Sequence, residues 1–401
     1  MKKGWVTKTL GDVCDVVGGG TPPKDKPAFY SGDIPWATVR DMRQDVITET
    51  EFRITKDAVK SSATNIVPSG NVVIATRVGL GKVCLIGQDT AINQDLRGIV
   101  PRNDKALIVR YLYWWLKGIA DVIVAAGTGA TVQGVKLPFV KSLQIPVPPL
   151  AEQKRIVGLL DEAFEAIATA KANTEQNLQN ARAIFESYLN EVFTKKGKGW
   201  VETRLGDVCH KITDGTHHSP QIQFSERGPD TFPYITSKNI RNNFINLSKV
   251  AYVEQAFHDE VYARCKPSLG DVLLTKDGAN TGNVTLNTID EPFSLLSSVC
   301  LIKTNKELLK PAFLCFYLQS SAGSSAILGQ MTGAAIKRIV LKDIKKAVIS
   351  FPPLKEQETF VATLNSLLEV TQRLVRLYEQ KLDALEELKK SLLNKAFAGE
   401  L

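Results

Sequence analysis

The chain is written twice. Trp5-Val6 followed by Leu10-Gly11-Asp12-Val13-Cys14 recurs as Trp200-Val201 followed by Leu205-Gly206-Asp207-Val208-Cys209. Gly20-Thr21 recurs as Gly215-Thr216, and Ile34-Pro35-Trp36 with Arg40 and Arg43 is echoed by Phe232-Pro233-Tyr234 with Lys238 and Arg241. The run Gly70 to Arg77 returns one residue shorter as Gly270 to Lys276, and Pro148-Pro149-Leu150-Ala151-Glu152-Gln153 returns as Pro352-Pro353-Leu354-Lys355-Glu356-Gln357. A repeat of this length restricts the fold to one unit used twice, so the two halves are read together.

Inside each copy the pattern changes at Pro-Pro-Leu. Before it lie short β-rich stretches such as 71–75, 82–86, 272–275 and 299–303, punctuated by Gly, Asn and Asp. After it come strong helix formers almost free of Gly and Pro, with the prolines placed where a helix can begin but not continue. Leu160, Ile167, Thr174, Ala181 and Tyr188 recur every seven residues, interleaved with Phe164, Lys171, Leu178, Phe185 and Val192. In the second copy Leu364, Thr371, Tyr378, Leu385 and Leu392 are interleaved with Leu367, Leu374, Lys381 and Leu388. Such seams predict coiled-coil helices. About 44 residues make a helix of roughly 65 Å, too long for one lobe to cover, so the two helices are expected to pair with each other. The short connector Lys195-Lys196-Gly197-Lys198-Gly199 favours antiparallel pairing. The expectation is an α/β (α+β) protein: two tandem mixed α/β lobes, 1–147 and 198–351, separated by helical regions 148–197 and 352–401 that form an antiparallel, pseudo-twofold coiled coil.

Composition narrows the class. The 401 residues carry a net charge of +8, which divides as +6, −1, +4 and −1 over those four segments, so the basic excess lies in the lobes and suits a polyanion. No apolar run approaches the roughly 18 residues of a membrane span, and the opening Met1-Lys2-Lys3-Gly4-Trp5 lacks a signal-peptide core. Six cysteines without a Cys-x-x-Cys spacing fit a reduced compartment with buried thiols. A cytoplasmic protein is expected.

Catalytic constellations are missing. An amino-methyltransferase needs Asp/Asn-Pro-Pro-Tyr/Phe, but the Pro-Pro sites read Val147-Pro148-Pro149-Leu150 and Phe351-Pro352-Pro353-Leu354. Gly18-Gly19-Gly20 reads as a tight turn, and Gly129 to Lys136 departs from the phosphate-loop spacing. The Glu-x-Lys of Glu152 and Lys154 is not repeated, since Glu358 stands at the second lysine position; acidic Glu152 and Glu356 instead suit helix starts. His217-His218 lacks a spaced pair for zinc, and Cys14 and Cys209 read as small buried residues rather than nucleophiles.

Two basic modules on a helical spacer suit double-stranded DNA with two half-sites. Because many loop residues differ between copies, the halves are expected to differ in sequence. The candidate contacts are Arg40 and Arg43 with Lys238 and Arg241, Arg77 and Lys82 with Lys276, and Gln133 and Lys136 with Lys337 and Arg338. Arginine can bond guanine bidentately and glutamine adenine, whereas lysine mostly meets phosphate. Two other classes are open: a self-sufficient DNA methyltransferase or nuclease, against which the missing motifs weigh, and a coiled-coil scaffold without specific DNA binding.

The duplicated Trp-x-x-x-x-Leu-Gly-Asp-Val openings, Gly20-Thr21-Pro22 with its weaker echo Gly215-Thr216-His217, the repeated Pro-Pro-Leu-x-Glu-Gln, and the ending Leu392 to Leu401 together resemble the specificity (S) subunit of type I restriction-modification enzymes. The resemblance spans the whole chain. It implies two target-recognition domains, each reading half of a bipartite DNA sequence, with the helices as a ruler for the spacer. It also implies docking of two methyltransferase (modification) subunits and association with restriction (helicase/nuclease) subunits. S-adenosylmethionine, ATP and Mg would then be bound by those partners, and this chain would hold no cofactor, no metal and no catalytic residue. Trp36 replaced by Tyr234, and different turns after Thr76-Arg77 and Thr275-Lys276, block any transfer of base contacts from the family.

Overall fold

The computed structural model describes residues 4–129, 134–329 and 338–401. Compactness divides it into two units, 1–175 with 380–401 and 176–379, so the boundaries fall inside the long helices rather than at the Pro-Pro-Leu junctions. Each unit holds one lobe and parts of both helices.

In the first unit, strand β1 (Val6–Thr9) pairs antiparallel with the last strand of the lobe, Gln144–Val147. Thr9 then caps a short helical turn, Leu10–Val13, in a capping box with Asp12, which buries Leu10 completely. Beyond it, β2 (Cys14–Gly18) lies at one edge of a five-stranded sheet. Leu96–Pro101, Val72–Ala75, Val83–Ile86 and Val46–Ile47 follow in that order, the last pair parallel. A four-stranded sheet stands beside it, in the order Phe52–Ile54, β3 (Ile34–Ala37), Thr90–Ile92 and Asn65–Val67. Parallel pairing of β3 with Thr90–Ile92 makes this sheet mixed as well. The helix Val109–Gly118 packs its Tyr111, Leu112, Trp115 and Leu116 into the main core.

The second unit repeats this plan. Cys209–Asp214, Val299–Thr304, Val272–Thr275 and Val284–Leu286 form a four-stranded sheet, and Ala251–Glu254, Thr231–Ile235 and Ser294–Leu295 a three-stranded one. Hydrogen bonds fix the correspondence residue by residue. Cys14 opposes Pro101 as Cys209 opposes Thr304, but a bulge between Cys209 and Lys211 then shifts the second copy by one residue. Gly19 therefore matches Gly215, and Gly20 matches Thr216, whose backbone N–H donates to Leu295 as that of Gly20 does to Ile92. A Cβ at Gly19 or Gly215 would lie 1.9 Å from a carbonyl oxygen, of Asn93 and Leu295 respectively, so glycine is obligatory at both. Thr76 N–H donates to Asp95 and Lys276 N–H to Ser298, which aligns Thr76 with Lys276 and Arg77 with Asp277. The expected pairing of Arg77 with Lys276 is corrected by one position.

The helices run over Leu150–Thr194 and Leu354–Ala398, 45 residues each. Their starts are tied down by a buried glutamine. Gln153 accepts from the Ile108 N–H and donates to the Ala106 and Pro148 carbonyls, at 2.8 to 2.9 Å; Gln357 does the same with Lys310, Leu308 and Pro352. Neither glutamine has exposed surface. The repeated Glu-Gln after Pro-Pro-Leu thus has a structural reason in its second residue, which satisfies three backbone groups of an irregular junction.

In the first unit Lys171 bridges Glu386 at 2.9 Å and Arg155 donates to the Leu401 carbonyl at 2.7 Å. Higher numbers on one helix meet lower numbers on the other, so the segments are antiparallel. In the second unit Arg182 bridges Glu379 at 2.8 Å, and Leu364 shares a core with Phe185, Leu189 and Val192. Every seam position expected on the first helix is buried or half-buried. On the second, Lys381 and Leu388 are exposed, and burial moves to Lys389, Leu393 and Ala396. A strict seven-residue repeat drifts around a helix of 3.6 residues per turn, and here the contact stripe follows the helix rather than the heptad. No described helix is long and apolar enough to cross a membrane.

Candidate nucleic-acid interface

The same local device appears at the end of β3 and at the end of its second-lobe counterpart, Thr231–Ile235. After Trp36, Thr38 accepts from the Arg40 N–H at 3.2 Å, and its own N–H donates to Asp41 at 2.7 Å. After Tyr234, Thr236 accepts from the Lys238 N–H at 3.2 Å, and its N–H donates to Asn239 at 3.0 Å. Threonine and a short polar residue three positions later stabilise the turn from both ends. The cation two residues after the threonine is left exposed at its tip.

Each turn borders a cleft. The first, of about 510 Å³, is lined by Thr21, Lys24, Tyr30, Trp36, Thr38, Val39, Arg40, Phe52, Val78, Asn93, Gln94 and Asp95. The second, of about 450 Å³, includes Ser219, Gln223, Tyr234, Thr236, Ser237, Lys238, Asn239, Lys249, Asp277, Gly278, Leu296 and Ser298. Trp36 and Tyr234 take the same place, yet Trp36 donates its Nε1–H to the Gly20 carbonyl at 3.1 Å whereas the buried Tyr234 hydroxyl has no partner among the described residues. Burial pushes the Tyr234 pKa up to about 12. The two clefts share a frame and differ in the groups they offer.

The expected contact residues separate on this frame. Arg40 and Lys238 line the clefts. Arg43 is exposed beside Arg40, whose carbonyl accepts from its Nε–H at 2.9 Å, while Arg241 is half-buried and donates to the Ile240 carbonyl. Lys82 and Lys136 are exposed but do not line the cleft. Arg77 faces Asp95 at 3.5 Å and Arg338 faces Asp277 at 3.8 Å, each guanidinium about half exposed. Gln133 and Lys337 lie outside the described residues.

Lys276 is a correction. It is 2% exposed and its ammonium lies 3.3 Å from Asp214, so it is a buried structural cation rather than a DNA contact. At the matching place the first lobe has Thr76, and opposite it Gly18 in place of Asp214. Burial alone would raise the Asp214 carboxyl, but the Arg264 hydrogen bond and the Lys276 charge hold it below the usual carboxylate range. Sequence reading missed this pair because a lysine in a basic lobe looks like a surface residue until the strand register is known.

The cysteines and histidines singled out in the sequence are not arranged for bond-making among the described residues. Burial pushes the Cys14 and Cys209 thiols up to about 12, so both stay protonated near neutral pH. His218 pairs with Glu260 at 3.1 Å and His217 lies 3.4 Å from Asp214. No metal-binding group of His, Cys, Asp or Glu occurs among the described residues.

The model of the type I restriction modification DNA specificity domain matches residues 2–180 and again 197–387. The chain belongs to the type I restriction-modification DNA specificity family. Two such domains in tandem make it a specificity subunit with two target-recognition domains, a non-catalytic component of a multisubunit restriction-modification complex. Relatives at full length agree. It is 24% identical to the MjaIX specificity subunit of Methanocaldococcus jannaschii, covering all of this chain and 94% of that protein. It is 23% identical to the EcoKI specificity subunit of Escherichia coli K12, covering all of this chain and 90% of that one. Among solved structures, a chain from a study of complex assembly in a type I R-M system superposes with a TM-score of 0.80, at 20% identity, 100% of this chain and 99% of that one. The HsdS subunit of Thermoanaerobacter tengcongensis gives 0.64, at 20% identity, 100% and 98%.

Proposed function

We propose that each lobe of this specificity subunit reads one half of a bipartite, asymmetric DNA sequence, using the cleft beside the Thr38 and Thr236 turns. The paired helices set the unspecified spacer and dock two methyltransferase subunits. The observation that carries this reading is a repeated frame with altered contents: Trp36 against Tyr234, Arg40 against Lys238, Asp95 against Ser298 and Arg77 against Asp277. A scaffold without sequence preference has no need of two differently furnished copies of one cleft. Exposed Arg40, Arg43, Lys82, Lys136 and Lys238 suit phosphate and base contacts, which would give the affinity a strong salt dependence.

S-adenosylmethionine, ATP and Mg belong on this reading to the modification and restriction subunits, and the complex works in the cytoplasm where its DNA is. The test is co-expression with methyltransferase subunits of the same system, followed by genome-wide mapping of methylated adenines. One bipartite sequence methylated only when this chain is present supports the reading; methylation independent of the chain sinks it. Binding of labelled S-adenosylmethionine by the purified chain alone would contradict the assignment of that cofactor to the partner.

A further inference from the structure

In both lobes a carboxylate that lines the cleft is approached by an arginine guanidinium. In the first, Asp95 is held by Asn93, which donates its Nδ2–H to one carboxylate oxygen at 3.2 Å and accepts from the Asp95 N–H at 3.1 Å. The other oxygen faces Arg77 Nη1 at 3.5 Å. In the second lobe Asp277 lines the cleft and Arg338 Nε approaches it at 3.8 Å.

The residues that make these pairs are not equivalent. Val135 N–H donates to the Thr76 carbonyl and Ile339 N–H to the Lys276 carbonyl, so Gly134 matches Arg338 and Arg77 matches Asp277. Where the first lobe sends arginine from the strand end, the second sends aspartate; where the second sends arginine from the facing segment, the first has glycine. A Cβ on Gly134 would come within 3.0 Å of the Thr76 carbonyl and 3.1 Å of the Arg77 Cγ, so the absence of a side chain there leaves room for Arg77. Each lobe thus places an Asp-Arg pair at the residue just past the same strand end, the partner coming from a different segment: Asp95 in the first lobe, Arg338 in the second.

Stability is a poor reason for that. Pairs at 3.5 and 3.8 Å with arginine side chains 49% and 52% exposed contribute little. A carboxylate beside a DNA-binding cleft also repels phosphate. What it does supply is a directional pull: a planar guanidinium drawn toward a carboxylate on one side turns its remaining donors to the other, the direction bidentate bonding to guanine O6 and N7 requires.

We propose that Arg77 and Arg338 are the corresponding base-reading arginines of the two lobes, each reading a guanine in its own half-site, with Asp95 and Asp277 as their positioning residues. This rests on the reading that each lobe recognises one half-site. The full chain, assembled with methyltransferase subunits, is used to select bound duplexes from a randomised library and is compared with R77A, R77K, D95N and R338A. Loss of a guanine preference at one base pair of one half-site is expected for R77A, by roughly 5- to 150-fold, with the other half-site unchanged. R338A should do the converse, R77K should fail to restore the preference, and D95N should weaken it at the same base pair. Uniform weakening on all duplexes, with a shallower salt dependence, would make these arginines phosphate contacts and overturn the inference while the half-site reading stands. Unchanged preferences in R77A and R338A would overturn it equally. Absence of any bipartite preference in the unmodified assembly would remove the half-site reading and the inference with it. Thermal melting of each variant separates misfolding from lost recognition, and R77K, which keeps the charge, serves if R77A fails to fold.

Discussion

Gln153 and Gln357 illustrate how one side chain can define a domain edge. Each caps three backbone groups at the junction between a helix start and a loop more than forty residues earlier. Gln153→Ala strands all three in a dry environment, and a loss of roughly 3 kcal/mol is expected in urea unfolding, with faster amide exchange at Ile108. The pair Asp214 and Lys276 makes a second residue-scale test. Asp214→Gly leaves the Lys276 ammonium buried without its carboxylate, a loss of about 3–5 kcal/mol. Adding Lys276→Thr restores the combination that the first lobe uses, and the part of the loss that comes from the stranded ammonium should return, leaving that of the Arg264 hydrogen bond. Additive losses in the double variant would deny the coupling. These residues also mark the limit of what could be read from sequence. Glu-Gln is visible as a repeated dipeptide, but its hydrogen-bond partners are not, because they are backbone groups of a loop more than forty residues earlier, whose place is set by the fold. Arg77 was paired with the wrong residue because the one-residue difference between the copies could be placed only by the hydrogen bonds of Thr76 and Lys276.

At the scale of elements, the helix of each lobe is fastened to the loop after β3 or after its counterpart Thr231–Ile235 in a matched way but with different chemistry. Lys117 donates to Asp45 at 2.8 Å, whereas Gln319 donates to Asn243 at 2.8 Å. Burial raises the Asp45 carboxyl, but its hydrogen bonds and the Lys117 charge outweigh this and hold it below its ordinary value. A depressed carboxylate contributes stability above its unfolded pKa and loses it as the pH falls through the folded one. Below about pH 4 the first lobe should therefore weaken through this contact while the Gln319–Asn243 contact is indifferent. Melting of Asp45→Asn should show a smaller acid dependence than the unmodified chain; an unchanged slope would rule the contact out as its source. The long helices were legible because their seven-residue spacing runs from Leu160 to Val192 and from Leu364 to Leu392 in stretches almost free of Gly and Pro. The drift to Lys389, Leu393 and Ala396 was not, since it depends on which surface the last turns meet. Leu364, fully buried, should cost about 2–5 kcal/mol when cut to alanine.

For the whole molecule, the basic excess confined to the lobes and the near-neutral helices follow the division of labour proposed here, in which lobes meet DNA and helices meet protein. If the helix pair is the ruler, removing seven residues from both helices shortens the preferred spacer without changing either half-site, and removing them from one alone breaks the pairing register. An unchanged spacer after matched deletion would remove the ruler from the mechanism. The family and the two-lobe plan were readable from the repeat; the contents of the clefts were readable only as residue types, because burial decided between a rim cation such as Arg40 and a core cation such as Lys276. The decisive measurement is the sequence selected by the chain assembled with methyltransferase subunits. Two different short half-sites separated by a fixed number of unspecified base pairs are predicted, whereas a single contiguous site, two identical half-sites, or no preference among duplexes at matched salt would contradict the division of recognition between the lobes.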